Sequence, residues 1–158
     1  KKNISNKNII CVAPDVGGVE RARALGQKLN VGLAIVDKRR SAPGKSQVMN
    51  IIGNVKGKNC LLVDDIIDSG GTIVNAAKAL KDKGAKDVYV YVTHGVLSGS
   101  AVKQINNSKI KKLIVTDTID NSDKIKKSSK IVILSISNLM AEAIKRISNS
   151  TSVSDLFK

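Results

Sequence analysis

A chain of 158 residues with 42% hydrophobic side chains is long enough for one packed globular domain. Lys and Arg number 27 against 13 Asp and Glu, a net charge of +14. That balance excludes an acidic solvating tail and admits nucleic acid, anionic membranes or phosphorylated small molecules as partners. The composition speaks against nucleic acid: 22 of the basic residues are Lys, and the aromatics are Tyr89, Tyr91 and Phe157, too few for the stacking platforms of a single-strand binder. A solvated, Lys-rich surface is the plainer account of the charge. The longest apolar runs fall far short of the ~20 residues of a membrane helix, so no membrane partner is expected. Cys11 and Cys60 lie in apolar runs without CxxC spacing and read as buried, reduced thiols. The polar first eight residues do not resemble a signal peptide, and a cytoplasmic location is expected. The chain begins with Lys rather than Met, which suggests that residues upstream were removed or never included.

In chain order, residues 9–13 predict a buried strand and residues 14–18 the turn after it. Val19, Ala22, Leu25 and Leu29 recur at helical steps with Arg21, Arg23, Gln27 and Lys28 between them, which predicts an amphipathic helix over 19–29. A strand follows at 33–36, then a polar, Arg- and Pro-containing loop over 37–46, long enough to move. Residues 48–52 and 59–63 predict strands joined by a hairpin-like connection over 53–58. A loop over 64–71 opens a helix at 72–83, which Gly84 is placed to end. Further strands are expected at 88–93, 112–116 and 130–134, helices near 101–106 and at 138–147, and a polar segment over 120–129. No internal repeat or interdomain linker is visible. This alternation predicts an α/β fold, a mostly parallel twisted sheet with helices on both faces, whose ligands bind beyond the carboxyl ends of the strands.

The strongest chemical signal is the run Leu61, Leu62, Val63, Asp64, Asp65, Ile66, Ile67, Asp68, Ser69, Gly70, Gly71, Thr72, between a strand and a helix. Backbone N–H groups at a helix start, aided by the helix dipole, hold a phosphate, and the Ser69 and Thr72 hydroxyls can add donors. Gly70 and Gly71 let the backbone approach closely. Asp64 and Asp65 would repel an anion, so they make sense if sugar hydroxyls or Mg²⁺ lie between them and the phosphate. Ribose 5-phosphate fits both halves. The plain alternative is an Asp-rich helix cap, although three Asp with Ser, Gly, Gly and Thr in nine residues exceed what a cap needs. No Lys follows the glycines, and the pattern is not GxGxxG, so neither a Walker loop nor a dinucleotide fingerprint is present.

This loop resembles the phosphoribosyl-pyrophosphate binding motif of the type I phosphoribosyltransferase superfamily. The segments around Asp15, Asp37 to Arg40, Val48 to Gly53, Tyr91 to Gly95, Leu97 to Gly99 and Leu139 to Ile144 follow one another as in the C-terminal half of the ribose-phosphate pyrophosphokinases. The likeness runs from Ile9 to Phe157. It implies one phosphoribosyltransferase-like domain over residues 1–158, the C-terminal half of a two-domain enzyme whose N-terminal half is absent. It also implies transfer of pyrophosphate from MgATP to the anomeric hydroxyl of ribose 5-phosphate, giving phosphoribosyl pyrophosphate and AMP, in a homo-oligomer when the protein is full length. By matching positions, Asp15 resembles a Mg²⁺ ligand, and Lys38 with Arg40 the catalytic pair of a flexible loop. Asp64 and Asp65 would hold the ribose hydroxyls, and Asp68, Ser69, Gly70, Gly71 and Thr72 the 5-phosphate. Ser152 and Ser154 resemble residues near a regulatory phosphate or ADP site at a subunit interface.

Each residue has a plainer reading as well: Asp15 as a turn residue beside Gly17 and Gly18, residues 38–40 as a solvated basic loop, and the serines as an exposed chain end. His94, without an identifiable carboxylate partner, reads as a turn or interface residue. The sequence departs from the family at Ser69, where Thr is usual, and at residues 41–44, where a Pro-rich loop is usual. With no adenine-binding half, the isolated chain is expected to turn over ATP poorly or not at all. Competing classes are a phosphoribosyltransferase, against which stand the 38–40 loop and the lack of a nucleobase hood, and a non-catalytic regulatory relative, which would not need Asp64, Asp65, Asp68, Lys38 and Arg40.

Overall fold

The computed structural model describes residues 8–39 and 48–157. The elements follow the order β1 (Ile9–Ala13), α1 (Val19–Leu29), β2 (Gly32–Arg39), β3 (Val48–Ile52), β4 (Asn59–Ile67), α2 (Gly71–Asp82), β5 (Asp87–Gly95), α3 (Ala101–Asn107), β6 (Lys112–Thr116), α4 (Ser122–Ile125), β7 (Ile131–Leu134) and α5 (Ser137–Ser148), with a closing 3₁₀ turn at Ser154–Phe157. The strands form one sheet in the order β3-β2-β1-β4-β5-β6-β7. Every neighbouring pair is parallel except β2 with β3. The α/β class with a mostly parallel sheet is as the sequence implies.

The central strands are continuous apolar runs because both of their faces are covered. On one face Ile10, Val12, Leu62, Val90 and Leu113 pack with Ile73, Ala76 and Leu80 of α2 and Ile105 of α3. α1 lies on β1, β2 and β4 with Ala22 fully buried, and it ends at Asn30 in the left-handed conformation, with the Asn30 N–H returning to Gln27. The alternation of Val and Tyr in β5 has a direct structural counterpart: Val88, Val90 and Val92 are buried, whereas Tyr91 is 38% exposed. At the far end of the sheet α5 buries none of its residues.

Three sequence expectations change. Residues 53–58 do not close a hairpin between β3 and β4. β3 instead pairs antiparallel with β2, from Ile35 against Ile52 to Arg39 against Val48, and the connection carries the chain past β1 to its other side. The reason is burial: Cys60, Leu61 and Leu62 are covered on both faces and belong at the sheet centre, whereas Asn50 and Ile52 are exposed on an edge strand. β4 does not stop at Val63 but runs on through both aspartates to Ile67, held by parallel pairing with β5 as far as Ile67 against Gly95. β2 likewise runs beyond Val36 to Arg39, so the expected loop begins later, and residues 40–47 of it lie outside the described residues. The polar segment over 120–129 holds the short helix α4.

Both cysteines are free and buried. Desolvation pushes the Cys11 thiol above its ordinary value. It pushes Cys60 up to about 12, with Lys58 and Lys81 opposing. Two outcomes are expected. Iodoacetamide at pH 8 should leave both thiols unmodified in the native chain and label both after unfolding, and stoichiometric native labelling would contradict the burial. A folded-state value raised above the unfolded one stabilises below the unfolded value. Thermal stability should therefore fall as pH rises from the ordinary thiol value of 9.0 toward about 12.

Candidate active site

The chain leaves β1 through Pro14 into a turn closed by the Asp15 side chain, whose Oδ1 accepts the Gly18 N–H at 2.9 Å. A Cβ on Gly18 would stand 3.2 Å from the Pro14 ring, tight enough that the ring would have to shift by a few tenths of an ångström. α1 begins directly afterwards and carries Arg21 in its first turn. Parallel pairing of β1 with β4, Val12 against Leu62, brings that turn alongside the carboxyl end of β4. There Arg21 Nη1 donates to Asp64 Oδ1 at 2.9 Å and Nη2 to Asp65 Oδ2 at 2.7 Å. Asp64 Oδ1 also accepts the Asp65 N–H.

The two carboxylates differ in environment. Burial raises the Asp64 carboxyl above its ordinary value and the neighbouring Asp65 charge adds to this, while the Asp65 N–H and Arg21 oppose. For Asp65, desolvation is outweighed by the Arg21 guanidinium and by hydrogen bonds, and its carboxyl falls below the ordinary value. Protonation therefore belongs to the pair, with the Asp64 carboxyl held above the ordinary carboxylate value and Asp65 below it.

Beyond Ile67 the chain turns through Asp68 and Ser69 into α2. Gly70 is the N-cap, with φ of 83°, a left-handed conformation that glycine supplies without strain, and no side chain caps the helix. The first-turn N–H groups therefore face outward without intrahelical partners, and the aspartates before them do not serve as its cap. The segment after β5 braces this loop: Val96 and Leu97 N–H both reach the Ile67 carbonyl and Ser98 N–H the Asp68 carbonyl. Asp15, Asp64, Asp68, Ser69, Gly70, Gly71 and Thr72 all line one cavity of about 230 Å³. A larger groove of about 530 Å³ runs along α2 with Met49, Lys78 and Asp82 and contains none of these carboxylates.

Lys38 lies in β2 opposite Met49, and Arg40 is outside the described residues. Ser152 and Ser154 are exposed beyond α5. Arg146 Nη1 donates to the Ser152 carbonyl, and the Phe157 carbonyl accepts from Lys28 in the last turn of α1, the opposite end of that helix from Arg21. His94 is in strand β5 rather than a turn, opposite Ile66, with Nδ1 3.0 Å from Thr118 Oγ1. No group of three or more His, Cys, Asp or Glu converges as a metal cluster among the described residues. Arg21 is the residue that sequence reasoning missed as part of this cluster. The available signal was the demand of two consecutive aspartates for a cation in a chain with five Arg.

The family described as the phosphoribosyl synthetase-associated domain matches residues 40–158. Ribose-phosphate pyrophosphokinase of Bradyrhizobium diazoefficiens is 58% identical over 146 residues, covering 92% of this chain and 46% of the relative. The crystal structure of phosphoribosylpyrophosphate synthetase from Mycobacterium smegmatis superposes with a TM-score of 0.82 at 37% identity, covering 90% of this chain and 46% of that one. Orotate phosphoribosyltransferase from Aeropyrum pernix, at 16% identity and a TM-score of 0.56 over 87% of this chain and 65% of that one, shares the fold. The chain spans about half the length of the curated relatives it matches. With well over half of its residues inside that family's bounds and the same fold beneath them, this chain belongs to the ribose-phosphate pyrophosphokinase family, in its phosphoribosyl synthetase-associated domain.

Proposed function

We propose that this chain is the ribose-5-phosphate-binding half of a cytoplasmic, oligomeric ribose-phosphate pyrophosphokinase, a single domain that works with a second half of similar size. In the full enzyme the anomeric hydroxyl of ribose 5-phosphate attacks the β-phosphorus of ATP. The bond from that phosphorus to the α,β-bridging oxygen breaks, and AMP leaves. The observation that carries this reading is one cavity lined both by the carboxylates Asp15, Asp64 and Asp68 and by the uncapped N-terminus of α2, with Asp65 outside that lining and joined to Asp64 through Arg21. A sugar phosphate matches that polarity: Asp64 and Asp65 accept from ribose hydroxyls, and the first turn of α2 with Ser69 and Thr72 donates to the phosphate. Asp68, at the turn between them, helps to hold the loop at the phosphate end.

Asp15 suits Mg²⁺. It is an exposed oxygen donor on the wall of the same cavity, and Mg²⁺ is commonly held by one or two carboxylates together with substrate phosphates and water. When bound, the ion would offset charge on the transferring phosphates. Lys38 and Arg40 would supply the remaining cations, Lys38 as a point charge and Arg40 as a planar fork.

Calorimetry on the chain at millimolar ribose 5-phosphate tests the site, and a folded sample that gives no heat of binding would remove it. Asp64→Asn with Asp65→Asn should weaken binding by about tenfold or more, because hydrogen bonds to a charged acceptor contribute about 1.5–3 kcal/mol each. Parent-like affinity in the double variant would exclude the carboxylates from the ligand. In a complete enzyme carrying this chain, Lys38→Ala and Arg40→Ala should each lower kcat by ~10²–10³ while KM for ribose 5-phosphate changes little. An unchanged kcat would take both residues out of the chemistry.

A further inference from the structure

Arg21 has no place in the roles assigned so far, yet it makes two short charged contacts at the carboxyl end of β4. Its guanidinium is not a lone surface cation. Nη1 sits on Asp64 and Nη2 on Asp65, at 2.9 and 2.7 Å, so one rigid plane spans two carboxylates and sets the angle between them. Each carboxylate gives one oxygen to the fork, Asp64 Oδ1 and Asp65 Oδ2. Asp64 Oδ2 and Asp65 Oδ1 remain outside it. The first turn of α1 also adjoins the turn at Gly18, where an added Cβ would stand in ordinary contact with Arg21 Nη1, at 3.6 Å. Arg21 lines a second cavity of about 260 Å³ with Tyr91, Thr93 and Thr116, and Asp64 is common to both cavities.

We propose that Arg21 is the positioning residue of the sugar end of this site: it holds Asp64 and Asp65 in one fixed orientation, with one oxygen of each presented to the ribose hydroxyls. The inference rests on the ribose-5-phosphate reading above and deepens it. Without the fork, two adjacent negative charges would turn apart, and one of them would take up a proton more readily. Lysine at this position would place a point charge on one carboxylate at a time and fix the pair less well.

The test compares the parent chain with Arg21→Ala and Arg21→Lys by calorimetry, using ribose 5-phosphate and inorganic phosphate as separate probes, with thermal unfolding recorded for each variant. Arg21→Ala should lose about tenfold or more in ribose 5-phosphate affinity, Arg21→Lys should recover part of that loss, and phosphate affinity should stay within about twofold in both. A merely structural role would weaken both ligands together, which would overturn the proposal. So would unchanged affinity in Arg21→Ala, or tighter binding, which would make Arg21 an occupant of the sugar's place. If Arg21→Ala fails to fold, Arg21→Lys decides: a loss for ribose 5-phosphate with phosphate unmoved supports positioning, and any other pattern rejects it. A parent chain that binds phosphate but not ribose 5-phosphate overturns the sugar-site reading and this inference with it. A parent that binds both, beside an Arg21→Ala variant that matches it, overturns the inference alone.

Discussion

Two carboxylates on consecutive residues at the end of a strand repel each other, and a fold keeps them together when a cation stands against both. Here that cation comes from a different β-α unit. β1 runs parallel to β4 with Ile9 opposite Asn59 and Val12 opposite Leu62, so the turn after β1 arrives at the level where β4 passes through Asp64 and Asp65. The first turn of α1 then sets Arg21 against both. An antiparallel β1 would have put the same turn at the opposite end of the sheet. The register itself is held by side chains with no solvent exposure, Val12, Leu62 and Val90, which is how core packing fixes electrostatic geometry at the rim.

The other end of the cavity has the opposite character. A helix start with outward N–H groups favours negative charge, and nearby carbonyl oxygens would work against that preference. Three of the N–H groups after β5 address this by bonding to the carbonyls of Ile67 and Asp68. Leu97, at φ of 50° and 2% exposed, is held in a left-handed conformation in the middle of that segment. Strain in a buried leucine is tolerated where surrounding contacts over-determine it. The segment is therefore part of the loop's support although it contributes no group to the cavity lining.

Much of this was legible in the residues. β1, α1 and β6 have the bounds that hydrophobic periodicity gives, because an apolar run buried on both faces and an amphipathic repeat are local properties. The run from Asp64 to Thr72 was legible as a site because its residue types conflict with any single structural use. Strand partners were not legible: whether β3 pairs with β2 or β4 depends on which strand the core buries on both faces, a tertiary fact. Nor was the length of β4, since aspartate has poor strand propensity and only pairing with β5 keeps Asp64 and Asp65 extended. Arg21 lies among the polar positions of an amphipathic helix, where an arginine facing solvent and one facing a carboxylate pair look the same in sequence.

The net charge of +14 and the acidic cluster at the end of β4 act at different ranges. Several lysines are engaged locally, with Lys81, Lys112, Lys124 and Lys130 each donating to a backbone carbonyl, as suits a compact ammonium with one acceptor. Their charge still contributes to the long-range field, which draws an anion toward the molecule and is screened beyond about 10 Å at moderate salt. Within the cavity the sign reverses, because Asp15, Asp64 and Asp68 face it. In the ribose-5-phosphate reading proposed above, an anion carrying hydroxyls at its other end would be drawn by the whole chain and oriented with its negative end on the α2 N-terminus and its hydroxyls toward Asp64. Orientation would then come from the local reversal of sign, since among the described residues no lysine lines that cavity.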